Sequence, residues 1–306
     1  MNNKVVLGGS LMLTIENAQL RVEIDEKGAQ LSHVINKMGN FDYIWNGSEW
    51  PYHAPIQFPA IGKSTDNKYS LNGRTYGMKE NGFVSDYEWT VVDKGDERVS
   101  LTITENEETL KSYPFEFSLM VTYSLEANAL HTKFLLKNNS KAKMPFSLGF
   151  APAFNLPMIP DVTELVFSDY HLSFMPEVQI LSQLKLDENK FRTGEESPVD
   201  NSKNGQLLLN YDEFSAGPII ISTPGLTEVK LNGENSNHFI SLTLEDFPQI
   251  AVSTMAKEKA KFICLEPING LPDLDNQELT DWNTSKNKQL IEPDSSLELG
   301  TVINFK

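Results

Sequence analysis

Phe115-Glu116-Phe117-Ser118-Leu119-Met120-Val121-Thr122-Tyr123-Ser124-Leu125-Glu126-Ala127-Asn128-Ala129-Leu130-His131-Thr132-Lys133-Phe134-Leu135-Leu136-Lys137 carries the sharpest pattern in the chain. Phe115, Phe117, Leu119, Val121, Tyr123 and Leu125 alternate with Glu116, Ser118, Thr122, Ser124 and Glu126. After Glu126-Ala127-Asn128, Leu130, Thr132, Phe134 and Leu136 alternate with His131, Lys133 and Lys137. A period of two places successive side chains on opposite faces of a strand. The stretch therefore reads as two long amphipathic strands, an antiparallel pair with one buried face.

The same period recurs outward in both directions. Upstream, Leu20, Val22 and Ile24 alternate with Arg21, Glu23 and Asp25 before Lys27-Gly28 turns the chain; Leu31 to Ile35 and Phe41 to Trp45 follow, with Met38-Gly39-Asn40 between them. Asn72-Gly73 between Tyr69-Leu71 and Thr75-Tyr76 is a strong hairpin signal. Downstream, strand patterns resume at Leu207, Pro218 to Ser222, Glu228 to Leu231, Phe239 to Leu244, Ile250 to Thr254 and Leu297 to Phe305. Pro152, Pro157 and Pro160 mark 151 to 160 as a loop, and the polar interval from Asp187 to Gln206 reads as a surface loop. No window has a capped helical period, and 280 to 287 offers one short turn at most. With no fixed-period repeat and no Gly/Ser-rich linker, the expectation is an all-β fold, a large antiparallel β-sandwich over 12–306, preceded by an N-terminal extension at 1–11.

Composition limits the partners. With 26 Lys and Arg against 42 Asp and Glu, the formal charge of −16 argues against nucleic acid and anionic membranes and favours neutral or cationic ligands. No apolar run approaches the length that spans a bilayer, and Val5 to Ile15 is too short and too interrupted to read as an export signal. The single cysteine, Cys264, excludes an internal disulfide and fits a small core residue in a reducing, cytoplasmic compartment.

Phe262-Ile263-Cys264-Leu265 reads as a strand buried on both faces, ending at Glu266 because Pro267 cannot donate to a ladder and Asn269-Gly270 with Pro272 supplies turn chemistry. A carboxylate delivered there can be tuned towards general-base work, or can be a structural acid accepting backbone hydrogen bonds from the turn. Asp273 and Asp275 lack the glycine and distal acid of a calcium loop, and no phosphate loop, nucleophile elbow or Cys-x-x-Cys pair is present, so no metal or other cofactor is expected.

Several motifs are specific when taken together and in order: Ala54-Pro55-Ile56-Gln57-Phe58-Pro59-Ala60-Ile61-Gly62, Tyr69 through Tyr76 with Asn81-Gly82-Phe83, Ser147-Leu148-Gly149 with Pro152-Ala153-Phe154-Asn155, Cys264-Leu265-Glu266-Pro267 with Asn269-Gly270, and Leu290-Ile291-Glu292-Pro293. In these the chain resembles the aldose 1-epimerase (mutarotase) superfamily, and within it the galactose mutarotase-related bacterial proteins, over nearly everything from Met12 onward. The resemblance implies a galactose mutarotase-like supersandwich with a sugar-sized cleft. It also implies chemistry that opens a pyranose ring and recloses it on the other face of C1, with a carboxylate base and a histidine acid.

Glu266 matches the family's base. The histidine acid of Gly-His-Pro-Ala-Phe falls on Ala151, the second histidine on Asn81, the arginine after the Phe-Pro-x-x-Gly turn on Lys63 and a further arginine on Ser85. An acid expected after Phe214 falls in Ser215-Ala216-Gly217, which contains none. Losing a positioned general acid costs about two to four orders of magnitude, whereas Asn81 can still bind a hydroxyl and Lys63 still carries charge. Of the five histidines, His53 alone lies in a stretch matching the site region, so it is a further candidate for contacting substrate or supplying a proton, while also reading as a satisfied residue beside a strand. Trp50 and Tyr52 beside it suit either the core or a sugar face.

The resemblance thus implies a small-molecule sugar, a hexose or derivative, bound through Lys63, Asn81, Asn155, His53 and Glu266. Three functions stay open: an aldose 1-epimerase-type isomerase interconverting α and β anomers with a remodelled acid, a non-catalytic sugar-binding or sensing protein, and a scaffold whose cleft is an interaction surface.

Overall fold

The computed structural model describes residues 12–158, 165–234, 236, 238–275 and 278–306. The extension expected at 1–11 and Pro160 lie outside them. The alternating pair forms as Phe117–Glu126 and Ala129–Asn138, with Leu119 opposite Leu136, Val121 opposite Phe134 and Tyr123 opposite Thr132. All six of these side chains are buried, as the alternation requires. They belong to a ten-stranded antiparallel sheet in which Ser296–Phe305 flanks Ala129–Asn138 and Arg98–Thr104 flanks Phe117–Glu126.

A second, eight-stranded sheet faces it. Its order is Arg192–Pro198, Ser182–Leu186, Ile219–Ile221, Gln249–Ser253, Phe262–Asn269, Leu148–Phe150 and Ile56–Gln57, with Ala153–Asn155 also paired to Phe262–Asn269. The two layers meet through aromatic side chains: Phe134 of the first and Phe150 of the second have ring centroids 6.1 Å apart, and Phe305 and Phe154 are 6.4 Å apart. Each such ring removes a large apolar area from water and prefers these edge-on or tilted contacts. A four-stranded sheet, Met12–Glu16, Leu20–Asp25, Gln30–Asn36 and Phe41–Asp42, is joined to the sandwich where Tyr123 Oη donates to the Ala29 carbonyl at 2.8 Å.

Three expectations are corrected. The Glu266 strand does not stop at the acid but runs on to Asn269. Pro267 is tolerated because, in the register that sets Gly149 opposite Ile268, it lies opposite Phe150, where pairing with Leu148–Phe150 has already ended at Gly149 and pairing with Ala153–Asn155 has not begun, so its missing donor breaks no pair. The proline-rich segment from Ala151 is not all loop, since Ala153–Asn155 pairs with Cys264, Ile263 and Phe262. The polar interval 187–206 contains the strand Arg192–Pro198, half of a hairpin on the edge of the eight-stranded sheet.

Arg192 is the residue that ties this hairpin down. Its amide donates to the Asp273 carbonyl at 3.0 Å and its Nε to the Pro272 carbonyl at 2.7 Å, so the arm is pinned to the turn that follows the Glu266 strand. Asp273 and Lys288 are buried with it. Lys288 donates to Ser147 Oγ at 3.0 Å and lies 4.3 Å above the Trp282 ring. Burial pushes its ammonium down to about 8, against the pull of Asp273, from an ordinary 10.5. Below about pH 8 the lysine is charged in both folded and unfolded chains and its desolvation penalty is carried in full. As the pH rises from about 8 to 10.5 the folded chain releases the proton first, so this group's contribution to stability increases. Urea midpoints should therefore rise across that interval relative to Lys288→Met, in which the increment is absent; equal slopes for both proteins would contradict this assignment.

Candidate functional site

One face of the eight-stranded sheet forms the floor of a cleft of about 460 Å³. Glu266 lines it from the middle of the strand Phe262–Asn269, with Ala251 directly opposite on one neighbouring strand. On the other side the register is the same before and after the gap, Gly149 opposite Ile268 and Ala153 opposite Cys264, so Ala151 falls opposite Glu266. Cβ atoms of such opposed residues lie about 4.5–5.5 Å apart. The carboxylate is flanked by two methyl groups, and the space above them is open.

Two donors hold the carboxylate. Ser253 Oγ donates to Oε1 at 2.7 Å and Gln57 Nε2 to Oε2 at 3.1 Å. Gln57 reaches across Gly149, its partner in the ladder. A Cβ at 149 would lie 2.6 Å from Gln57 Oε1 and 2.7 Å from Ile61 Cδ1, so only glycine leaves this path clear. Gln57 Oε1 is buried and accepts no hydrogen bond from the described protein groups. Burial raises the Glu266 carboxyl above the ordinary carboxylate range, opposed by the hydrogen bonds from Ser253 and Gln57 and by the charge of Lys190. Such a carboxylate can accept a proton near neutral pH more readily than a solvated one.

The walls bring in other groups. Lys63, Lys79 and Lys190 line the cleft, and the Lys79 ammonium is paired with Asp86. Asn81 also lines it, but its side-chain oxygen accepts from the Gly62 amide at 2.7 Å, so its first duty is to brace the turn that carries Lys63. Trp50 and Tyr52 stand at the cleft wall, with Trp50 stacked on Phe262 at 5.5 Å.

Two expected residues are not brought there. Asn155 donates through its amide to the Asp42 carbonyl at 3.0 Å and the Ile44 carbonyl at 2.7 Å, which commits it to holding the four-stranded sheet. The His53 ring is tied by Nδ1 to the Trp45 carbonyl at 2.8 Å, and neither residue is among those lining the cleft. Gln57, Ser253 and Lys190 were missed as functional candidates. A glutamine inside the apolar run Pro55-Ile56-Gln57-Phe58 was the available signal for the first; the other two had none. Among the described residues no group of three or more His, Cys, Asp and Glu side chains is placed to hold a metal ion.

A family description for aldose 1-epimerase matches residues 12–285. The chain belongs to the aldose 1-epimerase family. A galactose mutarotase-like protein from Lactobacillus casei ATCC 334 is similar in structure, with 35% identity, a TM-score of 0.91 and 96% of this chain and 100% of that one covered. A galactose mutarotase related enzyme from Lactobacillus acidophilus, at 24% identity, shares the fold with a TM-score of 0.90 over 97% of both chains. Protein LacX (chromosomal) of Lactococcus lactis subsp. lactis is 29% identical over 272 residues, 85% of this chain and 88% of LacX. In this member of the aldose 1-epimerase family no histidine lines the cleft among the described residues.

Two outcomes follow from the floor geometry. Gly149→Ala should force Gln57 off the carboxylate and raise the Glu266 titration further, read by carboxyl NMR; an unchanged titration would mean that Gln57 does not hold the charge. Because the folded carboxyl titrates above the unfolded one, the ionised group costs stability once the pH exceeds its unfolded value of about 4.3. Glu266→Gln should therefore melt higher than wild type at neutral and alkaline pH, with the gain fading in acid. A lower melting temperature at neutral pH would show that the carboxylate stabilises the fold.

Proposed function

We propose that the cleft binds a hexose or hexose derivative and interconverts its α and β anomers, with Glu266 as the base that takes the anomeric hydroxyl proton. The observation that carries this is the carboxylate itself: on the floor of the cleft, held by two donors and pushed up by burial. A group in that state is poised to exchange a proton with a hydroxyl above it. Gln57 Oε1 offers an unused acceptor beside it. Asn81 and Lys63 on the wall suit sugar hydroxyls, and Trp50 and Tyr52 present aromatic faces to the apolar side of a pyranose. Family membership and a cleft of this size support the same ligand class. The buried Cys264 thiol fits a cytoplasmic protein of carbohydrate metabolism, folded as one domain over 12–306.

A second reading is a sugar-binding or sensing protein without turnover. It is favoured by Ala151 standing opposite Glu266, at the position that the family motif gives to the histidine acid. NMR-detected or polarimetric interconversion of galactose and glucose anomers separates the two. Acceleration by wild type should fall at least about 100-fold, the scale of a lost acid–base group, in Glu266→Gln. If wild type shows no acceleration and Ala151→His gains it, the binding reading replaces the catalytic one.

A further inference from the structure

Opening a pyranose requires two groups at one carbon: a base for the hydroxyl on C1 and a donor for the ring oxygen, which leaves C1 with its bonding electrons. Ala151 and Ala251, on either side of Glu266, have no proton to give. His53 and Asn155 are committed elsewhere. Of the groups lining the cleft that carry a proton, Lys190 sits in the turn of the hairpin of Ser182–Leu186 and Arg192–Pro198, at the edge of the same sheet as Glu266.

That turn is built to present the lysine. Asp187 Oδ1 accepts from the Asn189 amide at 2.9 Å and the Phe191 amide at 2.8 Å, and the Lys190 amide donates to the Asp187 carbonyl at 3.0 Å. Lys190 itself is left-handed, at φ 70°, a conformation in which a Cβ is unfavourable and glycine or asparagine is the usual occupant. Strain of that kind persists where the neighbouring structure imposes it, and it concentrates at functional sites. Arg192, two residues on, anchors the arm to Pro272 and Asp273. The Lys190 stem then runs along Gly217: a Cβ on that glycine would sit 3.6–3.8 Å from its Cγ, Cε and Cδ. Among the described residues no carboxylate lies within ion-pair distance of the ammonium, unlike that of Lys79.

We propose that Lys190 is the proton donor of the site, working opposite Glu266 in place of a histidine. The step rests on the anomer-interconverting reading given above. Glu266 takes the proton from the hydroxyl on C1, the C1–O bond to the ring oxygen breaks as C1 becomes a carbonyl, and the ring oxygen receives a proton from the Lys190 ammonium. After rotation about C1–C2 the hydroxyl returns that proton to the Lys190 amine and adds to the other face of C1, while the carbonyl oxygen takes the proton back from Glu266. Protons and electrons balance over the cycle, and no further reactant enters. Lys63 also lines the cleft, but Lys190 is the one whose stem is laid along Gly217 by a left-handed turn.

The test compares wild type with Lys190→Met, Lys190→Arg, Lys190→Gly and Lys63→Met in galactose and glucose anomer exchange, with kcat and KM separated. Arginine keeps the positive charge but does not release a proton at working pH, so it distinguishes a donor from a binding cation. Glycine removes the left-handed strain and should melt no lower than wild type, which keeps an inactive variant from being explained by unfolding. The expected result is a loss in kcat of about 100-fold or more in Lys190→Met, Lys190→Gly and Lys190→Arg alike, with KM changed little and Lys63→Met acting mainly on KM. If wild type is active and Lys190→Arg retains its kcat, or Lys190→Met loses only affinity, the proposal fails while the Glu266 reading stands. A wild type that accelerates neither sugar overturns both.

Discussion

Glu266 is a carboxylate in the middle of a sheet face, and the surrounding sheet is arranged to keep that charge in place. Unpaired, it would cost several kcal/mol or simply protonate. The ladder answers with a serine on one neighbouring strand and, two strands away on the other side, a glutamine that passes over a glycine. The break in pairing after Gly149 belongs to the same solution, because it absorbs the donor missing from Pro267 without ending the strand. A raised proton affinity and a local cost in stability are two aspects of one desolvated group.

The fold was legible in the sequence because a half-buried strand writes its two faces directly into alternate residues. Phe117 to Leu136 needed no knowledge of partners, and Glu266 could be singled out from an apolar run followed by turn residues. What failed were inferences depending on who sits across the ladder. A proline that should end a strand did not, since its vacant position falls where the ladder with the neighbouring strand is already broken, which only the tertiary pairing shows. Asn155 lies in a motif stretch, yet two carbonyls from Asp42 and Ile44 use up its amide before any ligand can. Lys190 sits in polar sequence with nothing to distinguish it from neighbouring charges; only the fold lays it across Gly217.

The electrostatics show the same separation of local from global. The chain as a whole is strongly acidic, at −16, but the walls of the cleft carry Lys63, Lys79 and Lys190. Net charge therefore bears on solubility and on the exclusion of polyanions, while the field felt by a small ligand is set by a handful of groups within a Debye length of about 8–10 Å.

The hydrogen bond from Gln57 to Glu266 joins residues 209 positions apart. Closing so long a loop is among the slowest and least local events open to a chain. The cleft floor is thus absent from every partly folded intermediate that lacks this closure, and any ligand that bound there would select the completed chain over all of them. In a cell, any ligand held there would act as a quality mark on finished molecules, shielding them from the proteases that remove unfinished ones.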